Sequence, residues 1–190
     1  MKKKLMAVAL ATIIAVMAIA GASLAWLTDT TDVVTNTFTY GDIEIELNET
    51  TSGYKIVPGK EEAKDPTVTV TSGSEQCYVY VLIDNQLVIG TETVATIDIN
   101  TTDWICIETD GTKSLYRYKA VVDASSATIT IPVFNNVKYD GELITTENIE
   151  ALATKTIVLR AYAHQSEHIV DINVADTAAK TWADTALTTP

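Results

Sequence analysis

The residues best suited to chemistry are His164-Gln165-Ser166-Glu167-His168, which read H-x-x-E-H, the inverted form of a zinc-protease motif. On a helix the two imidazoles would stand one turn apart and could share Zn²⁺ with a third ligand, leaving a position open for an activated water. The preceding text speaks against that helix. Ile157 to Ala163 is strongly β-patterned, and in a strand or turn the four-residue spacing loses its meaning. The acidic residues downstream are Asp171, Asp176 and Asp184, with no Glu after Glu167. His164, Glu167 and His168 are therefore kept as candidate metal ligands only. The expectation is a strand end with polar, solvated side chains, and no catalytic or cofactor-binding residue.

The same two histidines are the only ones in the chain, and no Gly-x-Ser-x-Gly elbow is present, so a nucleophilic triad is not supported. Asp29 and Asp32 beside threonines offer hard oxygen ligands for Ca²⁺, but the spacing is common by chance and a solvated acidic segment is the better reading. No cofactor is expected, with Ca²⁺ and Zn²⁺ as the alternatives. Cys77 and Cys106 both sit in strand-like text. In an exported chain they can form a disulfide; otherwise they pack as two free thiols.

The text around these residues is β-branched and alternating. Ile43, Ile45 and Leu47 take one face of a strand and Asp42, Glu44 and Glu46 the other, and Thr67 to Thr71 reads likewise. Cys77 to Ile83 and Lys155 to Ala163 are apolar on both faces, which predicts strands in the middle of a sheet or between two layers. Trp104 to Ile107, Leu115 to Val122 and Ala127 to Phe134 supply more strands, Pro132 making the last an edge strand or a bulged one. Pro58-Gly59, Asp65-Pro66, Ser72-Gly73, Asp110-Gly111, Asn135-Asn136 and Asp140-Gly141 read as turns. Two segments predict helices: Thr146 to Ala153, and a C-terminal one after Asp171 and Asn173 with Val174, Ala178, Trp182 and Ala186 as its apolar stripe. The fold class is all-β, a jelly-roll-like β-sandwich with one or two short helices.

Residues 1–25 read as a cleaved signal peptide: Lys2, Lys3 and Lys4, an apolar run from Leu5 to Ala20, then small residues. The run is short for a membrane span of roughly 20 residues. Ser23-Leu24-Ala25 places the cut between Ala25 and Trp26, with Ala22 second and a retained anchor as the alternative. Residues 26–40 follow as an extended segment and 41–190 as the sandwich domain. Removing the three lysines leaves 10 basic residues against 25 acidic, a formal charge of −15. That charge excludes nucleic acid and disfavours anionic membrane surfaces, while low pH or divalent cations should ease close association of copies. No membrane attachment after cleavage and no wall-sorting signal at Leu187-Thr188-Thr189-Pro190 are expected.

Trp26-Leu27-Thr28-Asp29 followed by Asn36-Thr37-Phe38-Thr39-Tyr40-Gly41-Asp42-Ile43 resembles the start of the TasA and camelysin (CalY) family, bacterial proteins exported through the signal peptidase SipW. Tyr54 to Lys60, Lys64 to Val70, Cys77 to Val81, Pro132-Val133-Phe134 and Ala161 to Gln165 add to it, the order and spacing being more specific than any one segment. Position 164 is usually apolar in that pattern, so its histidine is not inherited as a family site. The resemblance implies a secreted jelly-roll subunit of the cell surface or biofilm matrix. Such a subunit polymerises into fibres by donating its N-terminal strand to the next copy.

The residues permit such donation. Val34, Asn36, Phe38 and Tyr40 alternate with Val33, Thr35, Thr37 and Thr39 in a proline-free segment able to complete a neighbour's sheet edge. An ordinary first strand folded into its own domain explains the same pattern. The partners implied are copies of the chain itself, a SipW-type signal peptidase and other matrix components. The alternatives are a secreted camelysin-type zinc metallopeptidase carried by residues 164–168 and a monomeric adhesin or binding module.

Overall fold

A computed structural model describes residues 41–50, 55–169 and 171–186. The leader, the junction at Ala25 and Trp26, Asp29, Asp32, and the alternating residues Val34, Asn36, Phe38 and Tyr40 lie outside the described residues. The strands are β1 (Ile45–Asn48), β2 (Glu61–Ala63), β3 (Thr67–Val70), β4 (Cys77–Asn85), β5 (Val88–Ile89), β6 (Glu92–Thr93), β7 (Ala95–Ile99), β8 (Trp104–Asp110), β9 (Lys113–Tyr118), β10 (Ile129–Pro132), β11 (Phe134–Tyr139) and β12 (Ile157–Gln165). Two helices join them, α1 (Ile149–Leu152) and α2 (Ile172–Ala186).

The strands pair antiparallel in the orders β12-β4-β9-β8, β1-β3-β10 and β2-β11-β7, with β5-β6 as a small hairpin. The four-stranded sheet turns one face to the main core and the other to α2, which makes the molecule an all-β sandwich with an outer helix. β4 shows why its text is apolar on both sides. Val79 and Val81 point into the main core with Val68, Val70, Ile131 and Phe134, while Tyr80 and Leu82 point the other way, under the helix. The alternation of Ile43, Ile45 and Leu47 likewise puts these three against the main core.

Trp104 ties the layers together. Its ring is 1% exposed, meets Tyr118 edge-on with centroids 5.3 Å apart, and donates its indole N–H to the carbonyl of Pro132 at 2.9 Å. β10 is an edge strand, where the missing N–H of Pro132 costs no ladder bond. Immediately after it Val133 donates to the Pro66 carbonyl at 2.9 Å and the chain passes into another sheet as β11.

Three expectations are corrected. Asn135-Asn136 is not a turn but a break of register inside β11, where its pairing with β7 shifts between Phe134 and Val137. The Asp98 carboxylate caps that irregularity, accepting the backbone N–H groups of Asn135 (2.9 Å) and Asn136 (2.7 Å) and the Asn136 side-chain amide (3.0 Å). Desolvation pushes its pKa up, but these hydrogen bonds outweigh it and hold the carboxyl below its ordinary value. The first helix is a single turn, α1, rather than eight residues.

The stripe of α2 is corrected in its first half, while Ala186 is buried and Trp182 packs on Tyr162 as expected. Ala175, Ala179, Ala183 and Ala186 are buried and Val174 is exposed. Small side chains let the helix backbone come close to Tyr80, Leu82 and Leu115, which a valine stripe would hold away. Asp171 stands before α2 and accepts the Asn173 N–H at 2.9 Å, a helix-capping bond.

Candidate functional site

The H-x-x-E-H cluster falls at the end of β12 and in the turn after it. His164 is a strand residue opposite Tyr78, its Nδ1 lies 2.8 Å from the Gln165 carbonyl oxygen, and its ring meets Tyr162 edge-on. Glu167 and His168 belong to a turn in which His168 has φ 62° and the Ile169 N–H reaches the Ser166 carbonyl. The helix that gives the motif its zinc geometry is therefore not formed. Among the described residues no group of three or more His, Cys, Asp or Glu side chains is placed to hold a metal ion.

Asp176, one of the acidic residues considered as a third ligand, is committed elsewhere. Arg117 on β9 donates Nη1–H to both its carboxylate oxygens, at 2.9 and 2.7 Å, and the Tyr80 hydroxyl donates at 2.9 Å. This trio fastens α2 to the sheet. Burial pushes the Tyr80 phenol far above its ordinary pKa, and the bond to Asp176 adds to the shift, so the tyrosine stays a donor. Sequence reasoning missed the trio because its members are 59 and 96 positions apart and only the packing of α2 joins them.

The disulfide considered for Cys77 and Cys106 does not form; both thiols are free, the first buried and the second exposed. Cys77 is on β4 and Cys106 on β8, with β9 between them. Two strand spacings of about 4.8 Å already exceed the roughly 7 Å that a disulfide spans between Cα atoms. Burial raises the Cys77 thiol to about 11. Iodoacetamide on the native protein should alkylate Cys106 alone, and both thiols once the chain is denatured. Mass spectrometry that finds native Cys77 modified would contradict this placement.

The sheet edges differ in a way that bears on association. β8, at one edge of the four-stranded sheet, carries Glu108 and Asp110 and a register break between Cys106 and Glu108. β10 carries Pro132, β2 is three residues long with Glu61 and Glu62, and β7 carries Asp98. Each of these devices discourages edge-to-edge pairing. β12, at the other edge of the four-stranded sheet, has no proline, carboxylate or register break, and Arg160 is its one residue of fixed charge. It runs nine residues, Ile-Val-Leu-Arg-Ala-Tyr-Ala-His-Gln, in unbroken register with β4, without proline, glycine or carboxylate. No described strand is hydrogen-bonded to its outer side, although β1 comes within 8 Å of β12.

No protein-family profile, no curated protein and no solved structure matches this chain.

Proposed function

We propose that the protein is a secreted structural subunit of the cell surface or biofilm matrix that assembles with copies of itself. In this reading residues 26–40 of one copy complete a sheet edge of the next once the leader has been removed. The observation that carries it is the edge strand β12, nine residues in regular register without proline or carboxylate, where the other edge strands β1, β2, β7, β8 and β10 are short or carry carboxylates, proline or a register break. The alternating, proline-free text of residues 33–40 supplies a matching strand. The resemblance to the TasA and camelysin family supports the same reading. The function is non-enzymatic, and the −15 charge of the chain after leader removal makes assembly sensitive to pH and divalent cations.

The test is electron microscopy of the chain from Trp26 onward, purified at neutral pH and then acidified. Ordered filaments are expected, more readily at the lower pH. A chain that stays monomeric at high concentration under both conditions would refute the reading.

A further inference from the structure

One cavity stands apart from every feature described so far. It has a volume of about 620 Å³ and lies where the end of β11, the start of β12 and the segment following β4 meet. Leu87, Tyr139 and Ile157 give it apolar walls, and Lys55, Lys64 and Lys155 line it as well. Among the described residues no carboxylate lines it. That is unexpected by composition, since beyond the leader the chain has 10 basic residues against 25 acidic, yet three of the basic ones converge here.

The lysines are not equivalent. The side chain of Lys64 is 11% exposed and is held by Glu49 at 3.1 Å. Lys55 and Lys155 are exposed, and neither makes an ion pair among the described residues. The walls are tied by backbone bonds: Tyr139 N–H to the Lys60 carbonyl (2.9 Å), Lys64 N–H to that of Asn135 (2.7 Å), and Gln86 N–H to that of Thr156 (3.1 Å). A cavity of this size falls inside the range of about 300–1,000 Å³ typical of small-molecule sites, which combine apolar walls with a few polar groups that orient the ligand.

We infer that this cavity binds an amphipathic organic anion. The apolar body lies against Leu87, Tyr139 and Ile157, and the carboxylate or phosphate head is held by Lys55 and Lys155. Lysine suits either head, because its ammonium acts as a compact charge with three rotatable donors. Two cations at the mouth of a cavity also select against neutral ligands of the same shape.

The experiment is calorimetric titration of the chain from Trp26 onward with decanoate, decyl phosphate and decanol. The double variant Lys55→Gln with Lys155→Gln is titrated in parallel, after its thermal unfolding has been matched to the parent. One anion should bind once per chain, weaken with added salt, bind at least tenfold more tightly than decanol, and lose at least tenfold affinity in the variant. The better of the two anions identifies the head group. Saturable binding of neither anion, equal binding of decanol, or unchanged affinity in the variant would overturn the inference.

Discussion

Replacing Trp104 by alanine should lower the free energy of unfolding by about 3–5 kcal/mol, the usual range for emptying a buried aromatic site. The ring is almost wholly buried, so the change removes its transfer free energy, leaves a cavity that the close-packed sandwich fills only in part, and ends the edge-on contact with Tyr118. It also orphans the Pro132 carbonyl at the corner where the chain leaves one sheet for the next. Trp104→Phe separates the contributions. It keeps most of the apolar volume but not the indole donor, and should cost less than the alanine change, with about 1–3 kcal/mol attributable to the unsatisfied carbonyl. Urea unfolding followed by far-ultraviolet circular dichroism measures both. An alanine variant within about 1 kcal/mol of the parent would show that Trp104 does not join the layers as described.

The second large effect belongs to the trio beneath α2. Asp176→Ala should destabilise by about 2–4 kcal/mol, because it strands the Arg117 guanidinium at 14% side-chain exposure and removes the acceptor of the Tyr80 hydroxyl. Among the described residues the Arg117 Nε–H already has no hydrogen-bond partner, so there is little local capacity to absorb the loss. Changing Arg117 to leucine in the same chain should recover part of the stability, since a paired charge replaced by apolar contact costs less than a buried charge left alone. A double-mutant cycle reads this directly. Losses that add without coupling would contradict the clamp.

The fold was largely legible because hydrophobic periodicity records which faces are covered. Cys77 to Ile83, apolar at every position, marks a strand covered on both sides, and β4 is one, with the main core before it and α2 behind. Pro132 marks an edge, and β10 is at an edge. What stayed hidden depends on long-range partners. Asn135-Asn136 has the chemistry of a turn and becomes a break in β11 only because Asp98 accepts three of its N–H groups from across the sheet.

The first half of the α2 stripe differs from the pattern for a related reason, whereas Trp182 and Ala186 do face the sheet. Val174 scores as more apolar than Ala175, but close approach to Tyr80 and Leu115 selects the smaller residue. The lysine-lined cavity was equally invisible, since Lys55, Lys64 and Lys155 are unremarkable in the text until three loops bring them together. For the H-x-x-E-H cluster the local β pattern was the better guide than the motif, and the strand ending at Gln165 agrees with it.

The central claim is that residues 26–40 join one copy to the next, and the most direct measurement compares two chains by electron microscopy under identical conditions, one beginning at Trp26 and the other at Thr37. The longer chain should form filaments. The shorter should keep the same unfolding transition, show its reactive Cys106 and protected Cys77, and remain monomeric. Filaments from the chain that lacks Trp26 to Asn36 would contradict the claim.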